Sequence, residues 1–279
     1  MRADNVILAI VCVPAMLYAA SIAWRGRSLP ITSSAPPDES VEAAVRQSAR
    51  DVTTTLSAGA IAGVLTAGLG GRFVMRLLAA TSGDGAQGRL TEAEEVVGEI
   101  TFDGTAFFVL FAGLVVPTFL SLLYLLLRRM LPNTAWKAGL LVGVLVLGTI
   151  GVNDPLSAEN GDFQILAPTW LAITSVVVVG LLFGVTFTAL SARFDAKSRS
   201  SVPGERPGRR ILMNASAVFL INPVSLVLAT AYVAAHLKPR NGPCAVNPGP
   251  GWLRAGRTTM LLVALIAVWS IGTTISKIA

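Results

Sequence analysis

The chain has 279 residues, of which 14% are charged and 53% hydrophobic, whereas soluble domains carry about 25% charged residues. That balance excludes water as the main solvent, and no stretch has the composition of a separate soluble core, so a single membrane domain over 1–279 is expected. The net charge of +6 raises nucleic acid as a partner, a reading that charge placement removes below.

A helix rises about 1.5 Å per residue, so crossing a hydrocarbon core of about 30 Å takes roughly 20 apolar residues. Segments that qualify lie at 5–24, 53–80, 105–130, 135–152, 169–191, 211–236 and 258–276. Lipid offers backbone amides no partners, which leaves helices or a closed barrel. Continuous apolar runs without strict alternation exclude the barrel. The expected fold class is an all-α membrane protein, a bundle of about seven transmembrane helices.

Direction follows from Lys and Arg, which stay on the cytoplasmic side in short loops. Residues 25–51, 128–137 and 192–210, together with Lys277, place fourteen basic residues on one side; six lie on the other, including Arg89, Lys238 and Arg254. This puts the N-terminus outside and the C-terminus in the cytoplasm. Ser21 and Ala23 make a passable signal-peptidase site, but cleavage would send the basic 192–210 loop outside, and the charge count argues against it. The basic excess is thus a marker of membrane orientation, and no nucleic-acid role is expected.

Along the chain, 25–51 reads as a cytoplasmic linker, flexible over Ser28 to Pro37, with a helical lead-in from Ser40. Gly59 and Gly63 form a GxxxG pair, a seam that lets two backbones approach closely. Packing within the chain is the simpler reading; self-association or a membrane-protein partner is the sharper one. Arg72 and Arg76 stand one turn apart at the outer end of the same helix, where they can snorkel to the interface. The acidic outer loop 81–104 follows, and Glu99 is the expected partner of Arg72 or Arg76. Thr91 and Glu94 have capping-box spacing, and Val96 to Asp103 reads as extended.

Asn153, Asp154, Glu159, Asn160 and Asp162 offer oxygens, but not at the spacing of a calcium loop, and Asp154-Pro155 and Asn160-Gly161 are turn signals. Asn222-Pro223 lies mid-way along 211–236, with Asn214 earlier, and forms the candidate intramembrane polar site. The 237–257 outer loop is rich in Pro and Gly. The single histidine, His236, supports neither a haem nor a zinc cluster. No hydrolase or nucleotide-binding spacing occurs. No metal and no cofactor are expected, and Cys12 and Cys244 are expected as free thiols.

The stretch Gly71-Arg72-Phe73-Val74-Met75-Arg76-Leu77-Leu78, continuing through Ser82-Gly83-Asp84, Thr91-Glu92 and Val97-Gly98-Glu99-Ile100-Thr101, resembles a pattern in uncharacterised multi-pass membrane proteins of GC-rich bacteria. Glu159-Asn160-Gly161-Asp162-Phe163 before Pro168 is similar to the same family. The resemblance spans about 57–190 and implies a bacterial inner-membrane protein without assigning an activity. The function expected is a non-enzymatic accessory or structural component of the membrane. The alternative is a small-solute transporter whose path passes Asn222 and Pro223.

Overall fold

A computed structural model describes residues 3–31, 41–91, 96–99, 101–157, 159–199 and 250–278. Among them the secondary structure is helical, and the only strand-like pairings are two isolated bridges, Pro30 with Thr134 and Leu90 with Val96. Helix α1 is Ala3–Gly26. Helix α2 is Val41–Gly63, and it continues through a π turn at Val64–Gly68 into α3, Leu69–Thr81. Helix α4, Phe102–Leu110, passes through a second π turn, Phe111–Val115, into α5, Val116–Leu127. Helix α6, Ala135–Val146, ends in a third, Leu147–Gly151. The short α7 is Asp162–Ile165, and the long α8 and α9 are Thr169–Arg199 and Pro250–Ile278.

Four of these rods are long and apolar enough to cross a membrane: Gln47–Thr81, Phe102–Leu127, Thr169–Lys197 and Leu253–Ile278. The shortest two have 26 residues, or roughly 39 Å of helix, more than a hydrocarbon core of about 30 Å. Ile10–Gly26 and Ala135–Gly151 are shorter apolar helices. Large side chains such as Leu17, Phe107, Leu110, Leu265 and Trp269 point outward and are more than half exposed. A soluble monomer rarely shows apolar surface on that scale; the same surface is well solvated by lipid.

Helix α8 is the spine, packed against α6, α2 and α1. Its Phe187 is fully buried, stacked on Phe183 with centroids 5.8 Å apart and met edge-on by Tyr124 of α5 at 4.9 Å. Small residues bring the backbones together. A Cβ at Gly139 of α6 would press on the backbone of Val185, and one at Gly143 on that of Leu181. The two π turns before α3 and α5 lie against each other, with Gly113 seated over Val64 and Gly68. Pro117 has no N–H to offer the preceding turn, and the widened turn at Phe111–Val115 stands just where that bond is missing. Hydroxyls fold back onto their own helices: Thr66 donates to the Ala62 carbonyl at 2.7 Å and Ser121 to that of Pro117 at 2.6 Å.

Three sequence expectations are corrected here. Phe102 and Asp103 are helical instead of extended, because Thr101 caps the helix, its hydroxyl accepting from the Gly104 amide at 3.3 Å, and Asp103 sits in the first turn where the helix dipole favours it. The start of the linker is held: Ile31 donates to the Asn133 carbonyl at 2.8 Å, and Ala135 donates to that of Leu29 at 3.0 Å. The rest of the expected flexible stretch lies outside the described residues. Finally, α9 runs parallel to α6. Its beginning meets Met130 through Gly256, its middle meets Gly148 through Ala267, and Ile271, Ile275 and Ile278 pack with Leu147 and Leu156. Its end therefore sits with the acidic loops. Counting strict alternation through 211–236, which lies outside the described residues, puts Lys277 on the same side as Arg128.

Candidate functional site

The arrangement hardest to explain by packing alone lies where α2, α5 and α8 meet at the basic end of the bundle. Arg128 follows the last turn of α5, yet its side chain is only 2% exposed. Its guanidinium donates to Asp51 of α2 at 2.7 Å and lies 3.7 Å from the carboxylate of Asp195 on α8. The first is a charge-assisted hydrogen bond at its preferred length; the second is an ion pair beyond hydrogen-bond reach. The Thr54 hydroxyl lies 3.4 Å from Asp195, one turn along α2 from Asp51. One cation thus ties three helices, and its planar fork suits two carboxylates on different elements.

Sequence reasoning counted Arg128 among the loop charges and did not pair it. Asp51 and Asp195 are 77 residues before and 67 after it in the chain. The available signal was that each acid borders an apolar run, Asp51 just before 53–80 and Asp195 just after 169–191.

Of the candidate cluster Arg72, Arg76 and Glu99, the structure brings Arg76 to the Glu99 main chain, where it donates to the carbonyl. Arg72 places its guanidinium 5.5 Å from the Phe108 ring, a cation–π approach. Arg76 therefore meets the expected residue through its backbone, and among the described residues the Glu99 carboxylate forms no ion pair with either arginine. Glu92, Glu94 and Glu95 lie outside the described residues, as do Asn214, Asn222, Pro223 and Cys244.

Around Arg76 the segments that follow α3 and precede α8 fold into a small cap. A turn closes where Val97 donates to the Arg89 carbonyl at 2.9 Å and Gly88 to that of Val97 at 3.0 Å, and Gly88 and Gly98 adopt the left-handed backbone such turns require. Gln87 ties it down, donating to the Ala79 carbonyl at 2.7 Å. The hydroxyls of Thr81 and Ser82 donate to the Ala167 carbonyl, and the Ala167 amide donates back to Ser82 at 2.8 Å. Ala79, Ala86 and Val97 then pack with Ile165 and Leu166. The second acidic segment uses its oxygens locally: the Asn160 side chain accepts from the Asp162 amide at 2.8 Å, and the Asn153 amide donates to the Thr149 carbonyl at 2.5 Å.

The Gly59 and Gly63 face is occupied within the chain. A Cβ at Gly59 would collide with Ser121, and one at Gly63 with Gly113 and Pro117. Cys12 is a buried free thiol on α1.

No family model, curated protein or solved structure matches the chain.

Proposed function

We propose that the chain is a multi-pass protein of the bacterial cytoplasmic membrane, belonging with the multi-pass family its sequence resembles, and that it serves as a non-enzymatic accessory or structural component. The observation that carries this reading is the Arg128 cluster. A buried cation joining α2, α5 and α8, above glycine seams that close α6 onto α8, makes a stiff body. Solute transport by alternating access needs repeats that rock against one another, and a bundle cross-tied at one end resists that motion. A stiff body with broad apolar faces suits docking to another membrane component, through faces other than the one Gly59 and Gly63 occupy.

On this reading the N-terminus is outside. Arg25, Arg27, Arg50, Arg128, Arg129, Lys137, Arg193 and Lys197 all lie at one end, and the direction of α9 adds Arg254 and Arg257 to them. The positive-inside rule makes that end cytoplasmic. The end of α9 then faces outward with the acidic loops.

The test is in-membrane cross-linking followed by purification in mild detergent. The expected result is a stable complex with a membrane component or with a second copy. A monomer with no cross-linked partner would overturn the accessory reading.

A further inference from the structure

The basic end of the bundle carries a second feature, distinct from the Arg128 cluster. A crevice of about 750 Å³ opens sideways between α1, α6 and α8, within the size range of sites for small organic ligands. Its floor is apolar, made by Val178, Leu181, Leu182 and Val185 of α8, with Ala20 and Ala23 of α1 opposite. Val185 lies against Gly139 in the first turns of α6. Val178 is seven residues back along α8, so the apolar floor extends roughly 10 Å away from the helix ends.

Polar groups gather at one end only. Arg27, Ser28 and Thr134 line the mouth beside Trp24 and Trp136. The Arg27 guanidinium stands 3.9 Å over the Trp24 ring, which orients it without neutralising its charge. Lys137 lies 5.8 Å from the Trp136 ring just outside. Trp24 is 68% exposed, and exposed indoles at this level are typical of the membrane interface. The backbone amides of Ala135 and Trp136 already donate to the carbonyls of Leu29 and Arg27, so positive character at the mouth comes from side chains. Thr134 occupies the N-cap position of α6 without capping it, and its hydroxyl oxygen is buried with no hydrogen-bond partner. No acidic residue lines the crevice.

We infer that this crevice holds an anionic phospholipid. Its phosphate meets Arg27 and the hydroxyl of Ser28, and one acyl chain lies along Leu182, Leu181 and Val178. An apolar trough about 10 Å long, closed at one end by cationic and hydroxyl groups, complements a molecule with an anionic head and a hydrocarbon tail. This inference rests on the membrane-spanning reading above.

The test uses the full chain in mild detergent, offered equal amounts of phosphatidylglycerol and phosphatidylcholine, with retained lipid counted by native mass spectrometry. Phosphatidylglycerol should be retained in excess. Arg27→Ala should reduce that retention about fivefold, the effect of one basic residue close to anionic lipid. Arg257→Ala, an exposed arginine at the same end, should leave it unchanged. Ala20→Phe places a ring in the crevice from an exposed position and should abolish retention of either lipid. Equal retention of the two lipids, an unchanged Arg27→Ala variant, or full retention by Ala20→Phe would each overturn the inference. Displacement of the lipid by an equal concentration of inorganic phosphate would also overturn it, in favour of a small-anion site. Failure of the membrane-spanning reading has a different signature: release of the chain from membranes by alkaline carbonate without detergent.

Discussion

Replacing Arg128 with alanine tests whether the bundle is held at its basic end by one buried cation. Truncating one member of a buried ion pair typically costs about 3–5 kcal/mol, because the charges left behind keep their desolvation without their partner. Asp51 and Asp195 each retain 15% side-chain exposure. Water reaches them, so the loss should fall near the lower bound, about 3 kcal/mol. At roughly 2–4 °C per kcal/mol, the thermal midpoint in detergent should drop by roughly 6–12 °C. The two carboxylates should not be equivalent. Asp51→Ala removes the 2.7 Å charge-assisted hydrogen bond, whereas Asp195→Ala removes a 3.7 Å ion pair and the 3.4 Å contact with the Thr54 hydroxyl, so the first, which holds the shorter charged contact, should destabilise more. Arg128→Lys keeps the charge but loses the fork that spans two helices, and should fall between wild type and alanine. Differential scanning fluorimetry of the four variants measures all of this. An unchanged midpoint in Arg128→Ala, or equal losses for the two aspartates, would refute the reasoning.

Gly139→Val introduces side-chain atoms against the Val185 backbone and should cost about 1–3 kcal/mol, whereas Gly85→Ala, with nothing near its Cβ, should be neutral; a common midpoint shift would contradict the seam. Because Arg76 donates to the carbonyl of Glu99, Glu99→Gln should leave the cap intact while Arg76→Ala increases amide exchange in 96–99. Exchanging the charges of Arg72 and Glu99 should therefore give no rescue, and a rescue would show that their side chains pair. A reporter fused after Ala279 should be active on the same face as one inserted at Gly85, since α9 ends beside Leu156; opposite activities would restore the alternating topology.

The helical character was legible residue by residue. A membrane demands long uninterrupted apolar runs, and that requirement is local, so the stretches around 53–80, 105–130 and 169–191 could be read before any contact was known. Arg76 and Glu99 stand only 23 residues apart, but they meet through the Glu99 main chain and not through the carboxylate that opposite charge pointed to. The cap hydroxyl of Thr101 was missed because alternation over Ile100 to Asp103 looked extended, while a single side-chain bond starts the helix there.

The amino-acid sequence alone determined the helical, apolar character of the described residues, because that property is a sum over neighbouring residues. Tertiary structure decided which charges are buried, where Gly59 and Gly63 pack, and which way α9 points. Arg128 reads as one more loop arginine until α2 and α8 bring Asp51 and Asp195 to it, and burial depends on what surrounds a residue in space. The direction of α9 is likewise decided by its long-range packing on α6, where Ala267 meets Gly148, a contact that counting along the chain cannot anticipate.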